Sequence, residues 1–131
     1  SRFSRLVENC PRGEGDAMIV KNVTRKTILA DKCEIASTFF ARLRGLQFRK
    51  EFSPGYGLLI TPCNSIHMFF MRFPIDALFL DSENRIVHIC EGIKPWRVSG
   101  NVKGACCVLE LPSGTVSSTG TAAGDILDMQ P

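Results

Sequence analysis

The chain has 131 residues, of which 44% are hydrophobic and 22% charged, and its formal net charge is +3. These values are typical of one soluble globular domain that can bury a core without help from a metal or disulfides. They argue against a disordered chain, and the longest uncharged run, residues 52–71, is broken by prolines and glycines, so it is a poor transmembrane helix.

The basic charge is concentrated in the first part of the chain. Residues 1–50 contain 11 basic and 5 acidic side chains, whereas residues 51–131 contain 5 and 8. No basic cluster is interleaved with aromatic residues, so we expect an ordinary solvated surface and no specific nucleic-acid binding. The six cysteines form no C-x-x-C pair and four lie in apolar stretches, which favours reduced thiols and a cytoplasmic protein.

The first elements are predicted to be a loose arm, a pair of strands and a helix. Residues 1–16 are rich in charge and glycine and form no core, which leaves one β-rich domain over residues 17–131. "AMIVKNV" and "TILADKCEI" read as strands joined by a tight connection. Ile35, Phe39, Leu43 and Leu46 then recur at helical spacing, which predicts one short helix near residues 37–46.

The rest of the chain reads as short strands separated by turns. "GLLI", "SIHMFFM", "DALFLD", "RIVHICEG", "GACCVLELP" and "DILDM" are predicted strands, and the most apolar of them, "GACCVLELP", is expected to be central. "DSENR" predicts a hairpin turn, and "SGTVSSTGTAAGD" a loop that can include one helical turn. The spacing favours a mainly β fold, a compact antiparallel β-sandwich or distorted barrel, because no βαβ alternation is present.

The polar residues of "PCNSIHMFFMRFPID" are the main candidates for a site. These polar residues, together with Trp96 and Glu110, occur among phenylalanines. A few polar groups among apolar side chains are the usual composition of a ligand site. Glu110 is predicted to lie on a buried strand, so a cation or several donors should be close to it. The candidate ligand-binding residues are His67, Met71, Arg72, Asp76, Trp96 and Glu110.

Two chemical interpretations of the same stretch are less favoured. Cys63, His67 and Met71 are soft ligands for copper(I) or zinc, but paired ligand motifs are missing, so we expect no metal or cofactor. Cys63 could act as a nucleophile with His67 as its base, but the sequence lacks the usual nucleophile turn.

Several segments together resemble a known family. "LRGLQFRKEF", "SIHMFFMRFPIDALFLD", "IKPWRVS", "VLELPSGT" and "AAGDIL" occur in an order that resembles the bacterial and archaeal family called domain of unknown function 192, over about residues 23–127. The resemblance implies a small, jelly-roll-like β fold and no particular activity. The matching positions are Arg44, Gly45, Leu46, His67, Met71, Arg72, Pro74, Asp76, Trp96, Glu110, Leu111, Gly114, Gly124 and Asp125.

Three functions remain open at this point. The favoured one is a small binding module for a small molecule, with a polar pocket near His67, Arg72 and Asp76. The second is an interaction or accessory protein that contacts a partner through a strand edge or through a basic surface, formed by Arg42, Arg44, Arg49 and Lys50. The third is an enzyme that uses Asp76 or Glu110 with His67 for acid–base chemistry.

Overall fold

Most of the described chain is β-structure. The computed structural model describes residues 18–36, 54–61, 74–94 and 101–130. These ranges contain seven strands and one helix: β1 (Met18–Asn22), β2 (Thr27–Ala36), β3 (Tyr56–Ile60), β4 (Ile75–Leu80), β5 (Ile86–Ile93), β6 (Cys107–Pro112), α1 (Thr115–Thr119) and β7 (Leu127–Gln130). No helix among the described residues is long and apolar enough to cross a membrane.

The seven strands form one sheet in the order β5-β4-β6-β3-β2-β1-β7. The sheet curls into a half-barrel, which confirms the predicted mainly β, barrel-like class. Strands β2 and β3 run parallel, while the other paired strands are antiparallel. The parallel pair departs from the purely antiparallel expectation. It is possible because residues 37–55 separate the two strands, and a parallel pair needs such a long connection.

Two apolar clusters lie on the two faces of the curled sheet. One cluster includes Leu78 of β4 and Leu109 of β6, together with Val116 of α1. The other includes Ala77 of β4 and Val108 of β6. Successive residues of a strand point to opposite faces, so strands covered on both sides read as continuous apolar runs. This explains why β4 and β6 are buried along nearly their whole length, and why β6 is central as predicted.

The connections follow from local sequence. The hairpin after β4 turns at Asn84, whose φ is +61°, a conformation that asparagine tolerates better than most residues. The predicted hairpin at "DSENR" is therefore confirmed, with Asp81 accepting hydrogen bonds from the backbone N–H groups of Glu83 and Arg85 at 2.8 and 3.0 Å. Helix α1 is the one helical turn of the small polar segment after β6.

Some predicted features lie outside the described residues. These are the arm at 1–16, the helix near 37–46, the strand "SIHMFFM", and the basic group at residues 42–50. The division into an arm and one domain therefore stays a prediction. None of the four described cysteines is in a disulfide.

Candidate functional site

The structure describes two of the six candidate ligand-binding residues. Asp76 lies on β4 and Glu110 on β6, the two adjacent strands near the middle of the sheet. His67, Met71, Arg72 and Trp96 lie outside the described residues, as does Cys63, so their roles stay predictions.

Asp76 is a buried carboxylate that holds three backbone segments together. It is 1% exposed. Its Oδ1 accepts a hydrogen bond from the Gly92 N–H at 2.8 Å, and its Oδ2 accepts from the N–H groups of Gly114 at 3.1 Å and Val116 at 3.0 Å. A buried carboxylate that accepts several N–H groups is well compensated without a cation. The geometry thus gives Asp76 a structural role, because its oxygens are already engaged.

Local irregularities bring the donors to Asp76. The register between β4 and β5 shifts between Ile75 and Ala77, so β5 bulges opposite Asp76. Gly92, with a φ of +58°, lies in this bulge, and Gly114, with a φ of +97°, immediately precedes α1. Both backbone conformations favour glycine, and they aim the two N–H groups at the carboxylate.

Glu110 has the opposite environment. Its side chain is 7% exposed, and in the described part of the chain its carboxyl group makes no hydrogen bond or ion pair. The cation or donors expected from the sequence are not found there. Burial instead raises the pKa of Glu110 from 4.5 to about 8, because the ionised form is costly to desolvate. At neutral pH the group is therefore mostly a neutral carboxylic acid, which can donate a hydrogen bond as well as accept one.

The two carboxyl groups lie on opposite faces of the sheet. Asp76 pairs with Leu111 of β6, whose side chain belongs to the cluster that includes Val116. Glu110 pairs with Ala77, which belongs to the other cluster. Asp76 and Glu110 therefore point to opposite faces of the sheet. The other four candidate residues lie outside the described part of the chain, so the predicted site stays a prediction.

A row of side chains crosses the sheet at the level of Glu110. The strand registers place five residues in line across β2, β3, β6, β4 and β5: Glu34, Leu58, Glu110, Ala77 and Cys90. Leu58 and Ala77 make the immediate surroundings of Glu110 apolar, and Ala77 has the shorter side chain.

Glu34 adds a second acid to this face, two strands from Glu110, or roughly 10 Å along the sheet. The Tyr56 hydroxyl donates to Glu34 Oε2 at 2.6 Å. Neither Glu34 nor Tyr56 was a candidate site residue in the sequence. The one signal for Glu34 is the alternation of "DKCEI", which directs its side chain to the face opposite that of the core-facing Cys33. The described part of this face thus carries two carboxyl groups and one phenol among apolar side chains. The strand registers also place Lys32, His88 and the thiol of Cys90 on it.

The thiol in this row is poorly suited to nucleophilic chemistry. Burial raises the pKa of Cys90, which keeps it as a thiol at neutral pH, and the thiolate is the reactive form. No group of three or more potential metal ligands is found in the described residues.

A polar network lies at the turn that the sequence assigned to Gly124 and Asp125. Asp125 Oδ2 accepts hydrogen bonds at 3.0 Å from Asn22 Nδ2, Arg25 Nε and the Ala122 N–H. Burial acts to raise the pKa of Asp125, but the bonds from Asn22, Ala122 and Arg25 outweigh it and keep the pKa below its ordinary value. The network ties the β1–β2 hairpin to the segment before β7, which is a structural task.

An open groove lies away from Glu110, between β2 and α1. Its volume is about 510 Å³. One wall is formed by residues 28–31 of β2, and the other by the segment from Pro112 to Thr119, with Pro54 and Gly55 at one end. Neither Asp76 nor Glu110, the two candidate residues that the structure describes, lines it.

The chain is similar to known proteins along most of its length. The model of the family described as "Uncharacterized ACR", domain of unknown function 192, matches residues 19–129. A UPF0127 protein of Thermococcus sibiricus is 35% identical over 115 residues, which cover 83% of this chain and 73% of the relative. A UPF0127 protein of Pyrococcus furiosus is 34% identical over 113 residues, covering 82% and 94%.

Two crystal structures have the same fold. A Sinorhizobium meliloti protein, provisionally described as a transcription regulator, superposes with a TM-score of 0.73 at 27% identity, covering 86% of this chain and 91% of its own. A protein of unknown function from Novosphingobium aromaticivorans also gives 0.73, at 20% identity and with 89% of each chain covered. The second likeness concerns the fold alone.

Proposed function

This chain belongs to the family of domain of unknown function 192, and on that premise we propose that it is a small binding module whose ligand contacts Glu110. The observation that carries the proposal is the buried Glu110 carboxyl group, which has no polar partner in the described part of the chain. A polar group that is largely removed from water without a partner is costly, and a ligand that bonds to it recovers part of that cost on binding.

The surroundings of Glu110 indicate the ligand's chemistry. Leu58 and Ala77 flank it, so the part of the ligand next to them is apolar. A carboxyl group with a pKa of about 8 is mostly protonated at pH 7, so it donates its proton to an acceptor on the ligand, such as a carbonyl or carboxylate oxygen. A neutral acid kept in an apolar site to donate a hydrogen bond is an established device in proteins.

The enzyme alternative has less support. Asp76 is occupied by three backbone N–H groups, and it lies on the face opposite Glu110. Acid–base chemistry would need one of these carboxyl groups together with His67, and that pairing stays a prediction. The engaged oxygens of Asp76 thus leave Glu110 as the described carboxyl group that could serve either binding or acid–base chemistry with His67.

The test is a screen of small fragments by ligand-observed NMR at pH 6.5 and 9.0. We expect hits that combine an apolar body with a carbonyl or carboxylate acceptor. Their affinity should fall roughly tenfold per pH unit above pH 8, where Glu110 loses its proton. Glu110→Gln, which keeps a hydrogen-bond donor, should retain binding and remove its pH dependence. Glu110→Ala should lose binding.

The exposed Glu83 supplies the matched control, because Glu83→Gln makes the same change far from the row. Hits that bind Glu110→Ala as well as they bind the unmodified protein would exclude Glu110 as the ligand contact. The hits could instead be amines whose affinity rises with pH and which no longer bind Glu110→Gln. The ligand would then be a cation rather than a hydrogen-bond acceptor. Native mass spectrometry of freshly purified protein would show whether such a molecule co-purifies.

A further inference from the structure

Asn84, in the hairpin turn between β4 and β5, carries a buried amide without a partner. The residue is 0% exposed. In the part of the chain that the structure describes, neither its Nδ2 nor its Oδ1 makes a hydrogen bond. Thr27 Oγ1 is the other described side-chain atom in this condition, but Asn84 leaves both a donor and an acceptor unused. A buried amide of this kind is costly unless something bonds to it.

The geometry of the turn does not explain the amide. The Asn84 N–H donates to the Asp81 C=O at 3.1 Å, and the Asn84 C=O accepts from the Leu127 N–H at 2.9 Å, so the backbone is already engaged. The φ of Asn84 is +61°. Glycine adopts this conformation at less cost and would bury no polar side chain. Because buried polar groups in folded proteins are almost always hydrogen-bonded, the side chain needs a partner of another kind.

Asn84 lies where the two ends of the curled sheet meet. Strands β5 and β7 are the outermost strands of the sheet. The Ile86 N–H donates to the Asp125 C=O at 2.9 Å, and Arg85 and Ile126 form an isolated antiparallel bridge. The start of β5 is thus joined to the chain just before β7. These two segments, residues 84–86 and 124–127, form the seam of the half-barrel.

We propose that Asn84 binds an internal water molecule at this seam. A water molecule accepts a hydrogen bond from Nδ2 and donates one to Oδ1, so it satisfies both unused atoms. Each backbone C=O group of the seam has a second lone pair, which can accept the remaining proton of the water. Buried waters in proteins typically make about three such bonds to polar groups that otherwise have no partner.

The surroundings of the amide favour water over a larger or charged occupant. Asn84 is fully buried, and Leu80 and Ile86 on either side of the turn belong to an apolar cluster. The amide offers a donor and an acceptor together, whereas an ion would use only one of them, since cations take oxygen ligands and anions take N–H donors. The site does not involve Glu110, so it is independent of the ligand proposed there.

NMR of the unmodified protein tests the contact directly. We expect cross-peaks between water and the Asn84 Nδ2 protons in both NOE and ROE spectra. Their relative signs should be those of dipolar contact with a water that stays for nanoseconds or longer, and not those of chemical exchange. Such a residence follows from the burial, because the water leaves only when the seam opens.

Matched variants locate the water. Asn84→Leu has nearly the shape of asparagine and no polar atom, so it fills the space while removing the hydrogen bonds. Magnetic relaxation dispersion of water oxygen-17 counts long-lived waters, and we expect this variant to hold at least one fewer. Asn101→Leu makes the same change at an exposed asparagine and should leave the count unchanged. The amide spectrum of each variant shows first that it has folded.

Three results would overturn the proposal. The first is a lack of dipolar cross-peaks between water and the Nδ2 protons, which needs no variant. The second is an equal count of long-lived waters in folded Asn84→Leu and the unmodified protein. The third is a co-purified molecule, seen by native mass spectrometry, that is lost in Asn84→Leu and kept in Asn101→Leu, because the amide would then bind a larger ligand.

Discussion

Asp76 and Glu110 show how strongly position determines what a carboxyl group does. They lie on adjacent strands and are both buried, yet one accepts three backbone hydrogen bonds and the other has no polar partner among the described residues. The one-residue offset in register places Asp76 on the face where α1 begins and Glu110 on the opposite face. One side chain therefore contributes to stability, and the other is buried without a polar partner in the part of the chain that the structure describes.

The raised pKa of Glu110 makes stability depend on pH. Between 4.5, the ordinary value, and about 8, the folded protein holds this proton and the unfolded chain does not. The stability that the bound proton of Glu110 contributes to the folded state is therefore fully present below pH 4.5. It is lost as the pH rises through the folded-state pKa of about 8. Relative to Glu110→Gln, we expect the unmodified protein to lose roughly 4 kcal/mol between pH 5 and 8.

Urea unfolding of the two proteins at pH 5, 6.5, 8 and 9 would measure this loss. Glu83→Gln is the control, because Glu83 is exposed in the hairpin turn. The free energies of unfolding of the two proteins could instead change in parallel with pH. That result would show that Glu110 is ionised in the folded state at neutral pH, with a partner that compensates its charge.

At the scale of elements, the Asp76 carboxylate joins β4, the bulge in β5 and the start of α1. Helix α1 has five residues and no side-chain hydrogen bond from its N-cap Gly114. So short a helix is unstable on its own. The bond from the Val116 N–H to Asp76, together with the burial of Val116, therefore accounts for its position on the sheet.

Removal of this carboxylate should be costly. We expect Asp76→Ala to lower the free energy of unfolding by at least about 3 kcal/mol, because three N–H groups lose their acceptor. Asp81→Ala is the matched control, since Asp81 also accepts two backbone N–H groups but does so at an exposed turn, and it should lose about 1 kcal/mol. Chemical denaturation at pH 7 would compare them, and equal losses would contradict the structural role given to Asp76.

Sequence reasoning could predict elements that depend on local pattern. The alternation in β1, the continuous apolar run of β6 and the turn at Asn84 are local signals, and all three predictions are confirmed. The parallel pairing of β2 with β3, and the division of Asp76 and Glu110 between two faces, depend on strand order and register, which no local pattern encodes. For the same reason, the use of the Asp76 carboxylate by distant glycines could not be predicted.

At the scale of the molecule, stability should decrease from the middle of the sheet to its ends. Strands β6 and β3 each have neighbours on both sides and are buried, whereas β5 and β7 end the sheet and are partly exposed. Local opening is easiest where few contacts must break. We expect amide exchange at least about 100-fold slower in β6 than in β5, measured by NMR. Equal rates would mean that β5 is covered as firmly as the centre.

The order of strands in the sheet also has a consequence for synthesis on the ribosome. Strands β1, β2 and β3 are made before β6 and β7, which complete their two outer sides. Until these strands emerge, the nascent chain exposes two unpaired sheet edges, which are sites for aggregation. The sheet therefore cannot close until β7 has emerged, and until then its two unpaired edges are exposed to neighbouring chains.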